Sequence, residues 1–314
     1  MLRSRFLILL IVVCLVLACA QKRQTNSPKI LVSPKGLVHS FWTTVRAGAD
    51  SAGREVGAEI IWKGPALETD ISGQISILED YINKDIDAIV LAACDAQALI
   101  RTVQKAVDKE IPVITIDSGV DSDLPLSFIA TDNVAAAAKA AQTLAELMGE
   151  TGKVACIPFV PGAATSNMRE QGFVEKIKQY PDIELTSIQY SQSEVAIGMA
   201  VTEDILTAHP DITGIFAANE GGTIGVVQAL KSKNLAGKIR LVGFDAAENE
   251  VQALEAGIID ALIVQDPFKM GYLGVKSAMK ALKGEPVEKR IDTGVYIVTR
   301  ENLNSPEIKR LLQQ

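Results

Sequence analysis

From residue 28 onward, short apolar runs alternate with longer amphipathic segments. Runs at 29–33, 59–62, 88–91, 113–116, 127–130, 153–157, 184–190, 214–217, 239–244, 261–264 and 294–299 predict strands. Several, such as Ala88-Ile89-Val90-Leu91, are apolar throughout rather than alternating, as in strands covered on both faces. Between them, apolar residues recur at helical spacing. Ile71, Ile75, Leu78 and Ile82 form one stripe; Val134, Ala138, Ala141, Ala145 and Met148 form another. Strands alternating with helices predict an α/β fold of doubly wound parallel sheets.

The pattern occurs twice. Asp85-Ile86-Asp87-Ala88-Ile89-Val90-Leu91 is similar to Asp211-Ile212-Thr213-Gly214-Ile215-Phe216-Ala217 at an offset of 126 residues, and Val113-Ile114-Thr115-Ile116-Asp117 to Leu241-Val242-Gly243-Phe244-Asp245 at 128. Two strand pairs at nearly one offset predict two lobes of the same topology, each with an acid ending its fourth strand.

The N-terminus departs from this pattern. Arg3 and Arg5 precede an apolar run at 6–20, fifteen residues long and shorter than the roughly 20 needed to span a bilayer. It reads as a secretory leader of residues 1–18. Val16-Leu17-Ala18-Cys19, followed by polar residues, resembles a bacterial lipobox, in which Cys19 is the acylated first residue of the mature chain and 19–28 form a tether. A plain cleaved signal or an N-terminal anchor are the alternatives; all three put the folded part outside the cytoplasmic membrane. Cys94 and Cys156 lie in apolar runs without CxxC partners and read as buried free thiols.

Removing the leader leaves 296 residues, enough for two cores. It also leaves 29 basic against 38 acidic residues with the signs interspersed, which argues against a nucleic-acid partner. GxSxG, HExxH, Walker and GxGxxG motifs are absent, and the two histidines, His39 and His209, cannot assemble a metal site with the cysteines. No enzyme activity, cofactor or metal is expected; an extracytoplasmic hydrolase is the class set aside.

Ligands of open parallel sheets bind beyond the carboxyl ends of the strands. In the first lobe those ends carry Ser33 with the loop to His39, Phe41 and Trp42, then Cys94-Asp95 and Asp117-Ser118. In the second they carry the 158–169 loop with Arg169, then Asn219-Glu220 and Asp245. Carboxylates, amides and a guanidinium match hydroxyls that both donate and accept, and aromatic faces cover the C–H patches of a sugar ring. Each residue also has a structural alternative: a helix cap for Asp95 and Asp245, core for Phe41 and Trp42, a surface pair for Arg169.

Ile111-Pro112-Val113-Ile114-Thr115-Ile116-Asp117, Ala130-Thr131-Asp132-Asn133, Arg169-Glu170-Gln171-Gly172-Phe173, Phe216-Ala217-Ala218-Asn219-Glu220, Val242-Gly243-Phe244-Asp245 and Gly284-Glu285-Pro286-Val287 follow one another in this order. Carrying them, the chain from Lys29 to about Thr299 resembles the ribose-type (type I) periplasmic solute-binding proteins of bacterial ABC importers. The resemblance implies two lobes joined by a three-segment hinge, with a ligand cleft between them. The lobes would be 29–131 plus 266–292, and 132–265 plus 293–314. It places ligand contacts at Ser33, Phe41, Trp42, Asp117, Arg169, Asn219, Asp245 and Gln265. Lys35, His39 and Ser118 stand at ligand positions where the ribose pattern differs, which points to another pentose, hexose, polyol or sugar derivative. The expected protein is a lipid-anchored monomer that passes its ligand to the permease subunits of an ABC transporter; a receptor serving a chemoreceptor or sensor kinase is the alternative.

Overall fold

The structure, a computed structural model, describes residues 27–84 and 86–313. Cys19, the leader and most of the tether lie outside them. Two six-stranded sheets are built on one plan. The first contains β1 (Lys29–Ser33), β2 (Glu59–Trp62), β3 (Ala88–Leu91), β4 (Val113–Ile116), β5 (Ser127–Ala130) and β11 (Arg290–Asp292), in the order β11-β5-β4-β3-β1-β2. The second contains β6 (Gly152–Ile157), β7 (Ile183–Ile188), β8 (Gly214–Ala217), β9 (Arg240–Phe244), β10 (Ala261–Val264) and β12 (Tyr296–Val298), in the order β12-β10-β9-β8-β6-β7. Position by position the two orders correspond, so the sequence repeat is a repeat of topology.

Strand alternation sorts the core into layers. In the first sheet Ile30, Val32, Val90 and Ile114 face helices α1 (Ser40–Val56) and α9 (Pro267–Leu282), while Leu31, Ile89, Leu91 and Val113 face α2 (Ile71–Ile82) and α3 (Ile100–Asp108). In the second sheet Val154, Cys156, Phe216 and Phe244 pack under α4 (Asn133–Leu147) and α5 (Ala164–Ile177). Its opposite face, with Ile157, Ile215 and Leu241, lies under α6 (Val195–Ala208), α7 (Glu220–Ser232) and α8 (Glu248–Glu255). Burial on both faces is why these strands are continuously apolar.

Two edges differ from the sequence-based expectation. β12 runs antiparallel to β10, an exception to the all-parallel pattern. β11, only three residues with a single apolar one, carries too little pattern to be read as a strand, yet pairs in parallel with β5.

The chain passes between lobes at 131–132, 265–266 and 293–295. The first two passages end at once in helix caps: Asp132 accepts from Ala135 N at 3.1 Å, and Asp266 from Lys269 N at 2.9 Å with Pro267 in the first turn. Asp292 stitches the third passage to the first, accepting from Asp132 N at 3.2 Å and Gly294 N at 2.9 Å.

In each lobe the helix after the first strand packs against the helix that has crossed over from the other lobe, α1 on α9 and α5 on α4, and glycines make the close approach possible. A Cβ on Gly271 would stand 1.9 Å from the Val45 carbonyl oxygen, and one on Gly172 would stand 2.2 Å from that of Val134. Gly271→Ala or Gly172→Ala must therefore force its helix pair apart, at a cost of about 1–3 kcal/mol. Urea unfolding should show a lower midpoint for each; an unchanged midpoint would contradict this packing.

Candidate functional site

The carboxyl ends of the two sheets face each other across a narrow cavity. Its most regular feature is a pair of aspartates. Asp117 follows β4 and donates its backbone N–H to Ile129 O at 3.0 Å; Asp245 follows β9 and donates to Ile263 O at 2.9 Å. Both then take positive φ, 53° and 81°. Asp tolerates this left-handed conformation better than most residues. The same turn thus ends the same strand in both lobes and brings each carboxyl to the cavity wall.

Lys35, on the loop after β1, is buried beside this pair. Its Nζ lies 3.0 Å from Asp117 Oδ2, 3.8 Å from Glu68 Oε2 and 3.0 Å from Thr165 Oγ1 of the opposite lobe. It also stands 5.7 Å from the Trp42 ring centre and 5.0 Å from that of Phe159. Burial opposes the ammonium charge, but Asp117 and Glu68 outweigh it and raise the Lys35 pKa. Burial likewise opposes ionisation of Glu68, yet the charges of Lys35 and His39 and a 2.9 Å bond from Trp42 Nε1 hold it below the usual carboxylate range.

Across the cavity, Arg169 Nε donates to Asn133 Oδ1 at 2.8 Å and Nη1 to Ala218 O at 2.7 Å, with the guanidinium 3.7 Å from the Phe244 ring centre. Asp245 accepts from Gln265 Nε2 at 2.8 Å and from Glu220 N at 3.2 Å. Burial pushes its pKa up to about 6, although Arg169 and Gln265 pull the other way. Asn219 caps α7 through its Oδ1, bound by Gly222 N at 3.0 Å, and donates Nδ2 to Ser193 Oγ at 2.7 Å. Gln265 Oε1 is a buried acceptor with no partner among the described residues. No group of three or more His, Cys, Asp or Glu is placed to hold a metal ion among the described residues.

His39 spans the lobes. Its Nε2 donates to Ser193 O at 2.9 Å and its Nδ1 lies 3.6 Å from Glu220 Oε1. Burial disfavours the imidazolium, but Glu220, Glu68 and the Ser193 carbonyl prevail and push its pKa up to about 9.

Of the residues expected at the site, Lys35, His39, Phe41, Trp42, Asp117, Arg169, Asn219, Asp245 and Gln265 line the cavity. Ser33 and Ser118 do not, and the expectation is corrected there. Ser33 ends β1 on the face it shares with Leu31, so alternation points it into the layer under the sheet. Ser118 lies beyond the left-handed turn, fully buried, with its carbonyl bound by Ala93 N at 2.8 Å. Glu68, Phe159 and Glu220 also line the cavity. For Phe159 and Glu220 the signal was position: each follows a strand's carboxyl end.

Residues 30–286 match the periplasmic binding protein domain family. The chain belongs to this family. The ribose import binding protein of Haemophilus influenzae is 30% identical to this binding protein over 86% of the present chain and 91% of its own. Among solved structures, a carbohydrate transporter solute-binding protein of Agrobacterium radiobacter, in complex with D-arabinose, is 36% identical with a TM-score of 0.89, covering 92% of this chain and 100% of its own. An ABC transporter solute-binding protein of Agrobacterium vitis with bound D-fucose is 38% identical with a TM-score of 0.88, covering 90% and 99%.

The shifts of His39 and Asp245 carry a pH signature. His39 titrates above its ordinary 6.5, so its stabilisation is complete below that pH and is lost as pH rises through about 9. The deficit of a His39→Ala variant in melting temperature should therefore shrink between pH 7 and 10. Asp245 titrates above its ordinary 3.8, so its burden is present above about pH 6 and is relieved as pH falls toward 3.8. Asp245→Asn should compare more favourably with wild type at pH 7 than at pH 4. Differences that stay flat across these windows would refute the assignments.

Proposed function

We propose that this chain is the extracytoplasmic, substrate-capturing component of an ABC importer, that it binds a sugar or sugar-like polyol by lobe closure, and that it releases the ligand unaltered to the permease. The observation that carries the reading is the paired left-handed aspartates, Asp117 and Asp245, facing each other from opposite lobes across a cavity with aromatic walls. Two carboxyls on opposing sides can each accept from hydroxyls at either end of one ring, while Lys35, Arg169, Asn219 and Gln265 supply donors. Phe41, Trp42 and Phe159 offer ring faces or edges to C–H groups. Relatives named for ribose, for D-ribose and D-allose, and neighbours holding D-arabinose and D-fucose support this class.

In this reading the lobes, 29–131 with 266–292 and 132–265 with 293–314, move as two bodies about the three crossings, and the monomer is the working unit. Only a ligand with greater affinity for the closed arrangement shifts the equilibrium toward it, and a ligand touching both walls meets that condition. The leader and Cys19 would place the protein on the outer face of a membrane, held by acyl chains through the tether. A Cys19→Ser variant should lose palmitate labelling and leave the membrane fraction; a wild-type protein without label would remove the anchor from the proposal.

The test of function is a thermal-shift screen of residues 28–314 against pentoses, hexoses, polyols, nucleosides and amino acids, followed by calorimetry. A shift confined to sugars or polyols supports the proposal, and one confined to nucleosides or amino acids overturns the ligand class. Asp117→Ala, Arg169→Ala and Asp245→Ala should each weaken binding by about 2 kcal/mol or more, because a buried partner loses a charge-assisted hydrogen bond. Unchanged affinity in all three would remove the site.

A further inference from the structure

Helix α1 begins at the cleft, and its first turn is capped from the opposite lobe. His39, at the cap position, makes no side-chain bond to the turn it precedes. Glu220 does so instead. Ser40 N donates to Glu220 Oε1 at 3.0 Å, while Ser40 Oγ and Phe41 N donate to Oε2 at 2.9 and 3.1 Å. Glu220 is itself the first residue of α7, and its backbone N–H is bound to Asp245. Although its side chain lines the cavity, both carboxylate oxygens are committed to the other lobe.

From this geometry we infer that Glu220 is a positioning residue for ligand capture: it caps α1 across the cleft only when the lobes are closed and makes no bond to the ligand. The inference rests on the reading of the cleft as the ligand site. Swinging the lobes apart returns the α1 amides to water and separates them from the carboxylate, so the cap contributes to one arrangement and not to the other. A contact with that property raises the apparent affinity for every ligand that closes the protein, by a common factor. Capping energies put this factor at about fivefold to tenfold. Asp245 ties the device to the site, because the residue expected to hold ligand hydroxyls also holds the backbone of Glu220.

Ser40→Pro separates this role from direct ligand contact. Proline is favoured at the first helical position, and His39, at φ −78° and ψ 146°, already has the extended conformation required before it. The substitution removes two of the three α1 donors to Glu220 from a residue outside the site cavity. Calorimetry with the pentoses and hexoses that bind wild type should show Ser40→Pro and Glu220→Ala weakening all of them by a similar factor. The double variant should be little worse than Glu220→Ala alone, and stopped-flow release should be faster in each. If Glu220→Ala weakens binding but Ser40→Pro does not, or if the loss depends strongly on the sugar, Glu220 contacts ligand and the inference is overturned. Unchanged affinity in both variants overturns it as well. Wild type that binds none of these sugars is a different outcome, since it removes the reading of the cleft itself.

Discussion

A parallel sheet with helices on both faces leaves one place for polar chemistry: the edge where its strands end. Everything at this site follows from that constraint. Burial on both sides makes the strands apolar from end to end, and crossover helices return the chain to the opposite edge before each new strand. The residues just past the carboxyl ends are the first ones free to be charged. Setting two such edges face to face joins two half-sites into one cavity, and the left-handed turn repeated at Asp117 and Asp245 gives each half the same carboxyl.

The crossings make the halves cooperate. Each lobe is completed by a helix whose preceding strand belongs to the other lobe: α4 follows β5, and α9 follows β10. The caps at Asp132 and Asp266 begin these helices immediately, so dihedral freedom is confined to a residue or two in the first two passages and to 293–295 in the third. Asp292 binds the third passage to the first, which restrains twisting between them. Within each lobe the crossover helix is locked to its neighbour, α9 to α1 at Gly271 and α4 to α5 at Gly172, so the packing on each side of the joint is tight.

Much of this was legible because burial writes a strong pattern. Apolar strands, two helical stripes and a doubled motif indicate two α/β lobes, and the strand-end rule selects Asp117, Asn219 and Asp245. What escaped has a physical reason in each case. Ser33 is a strand-end residue by number but not by direction, since alternation decides which way a terminal side chain points. Glu68 lies six residues beyond β2, an edge strand that is nowhere fully buried, so neither a strand-end position nor an apolar run singles it out. Thr165 and Ser193 matter through partners in the other lobe, and a bond spanning 130 or 154 residues leaves no trace in local pattern.

The charges explain why capture depends on more than ion pairs. Lys35 with Asp117 and Glu68, and His39 with Glu220, are matched at short range and buried. Taking such groups out of water costs about as much as their attraction returns. Only His39 with Glu220 joins the two lobes, and that pair enforces register between them more than it drives them together: a misaligned closure would bury a charge without its partner. The net drive must come from contacts that cost little to desolvate. The faces and edges of Phe41, Trp42 and Phe159 are of that kind, and a ring with apolar C–H patches covers them, whereas water does not. In the proposed reading, a neutral ring that brings its own hydroxyls to Asp117 and Asp245 would add this apolar contact to a cleft whose charges are already matched.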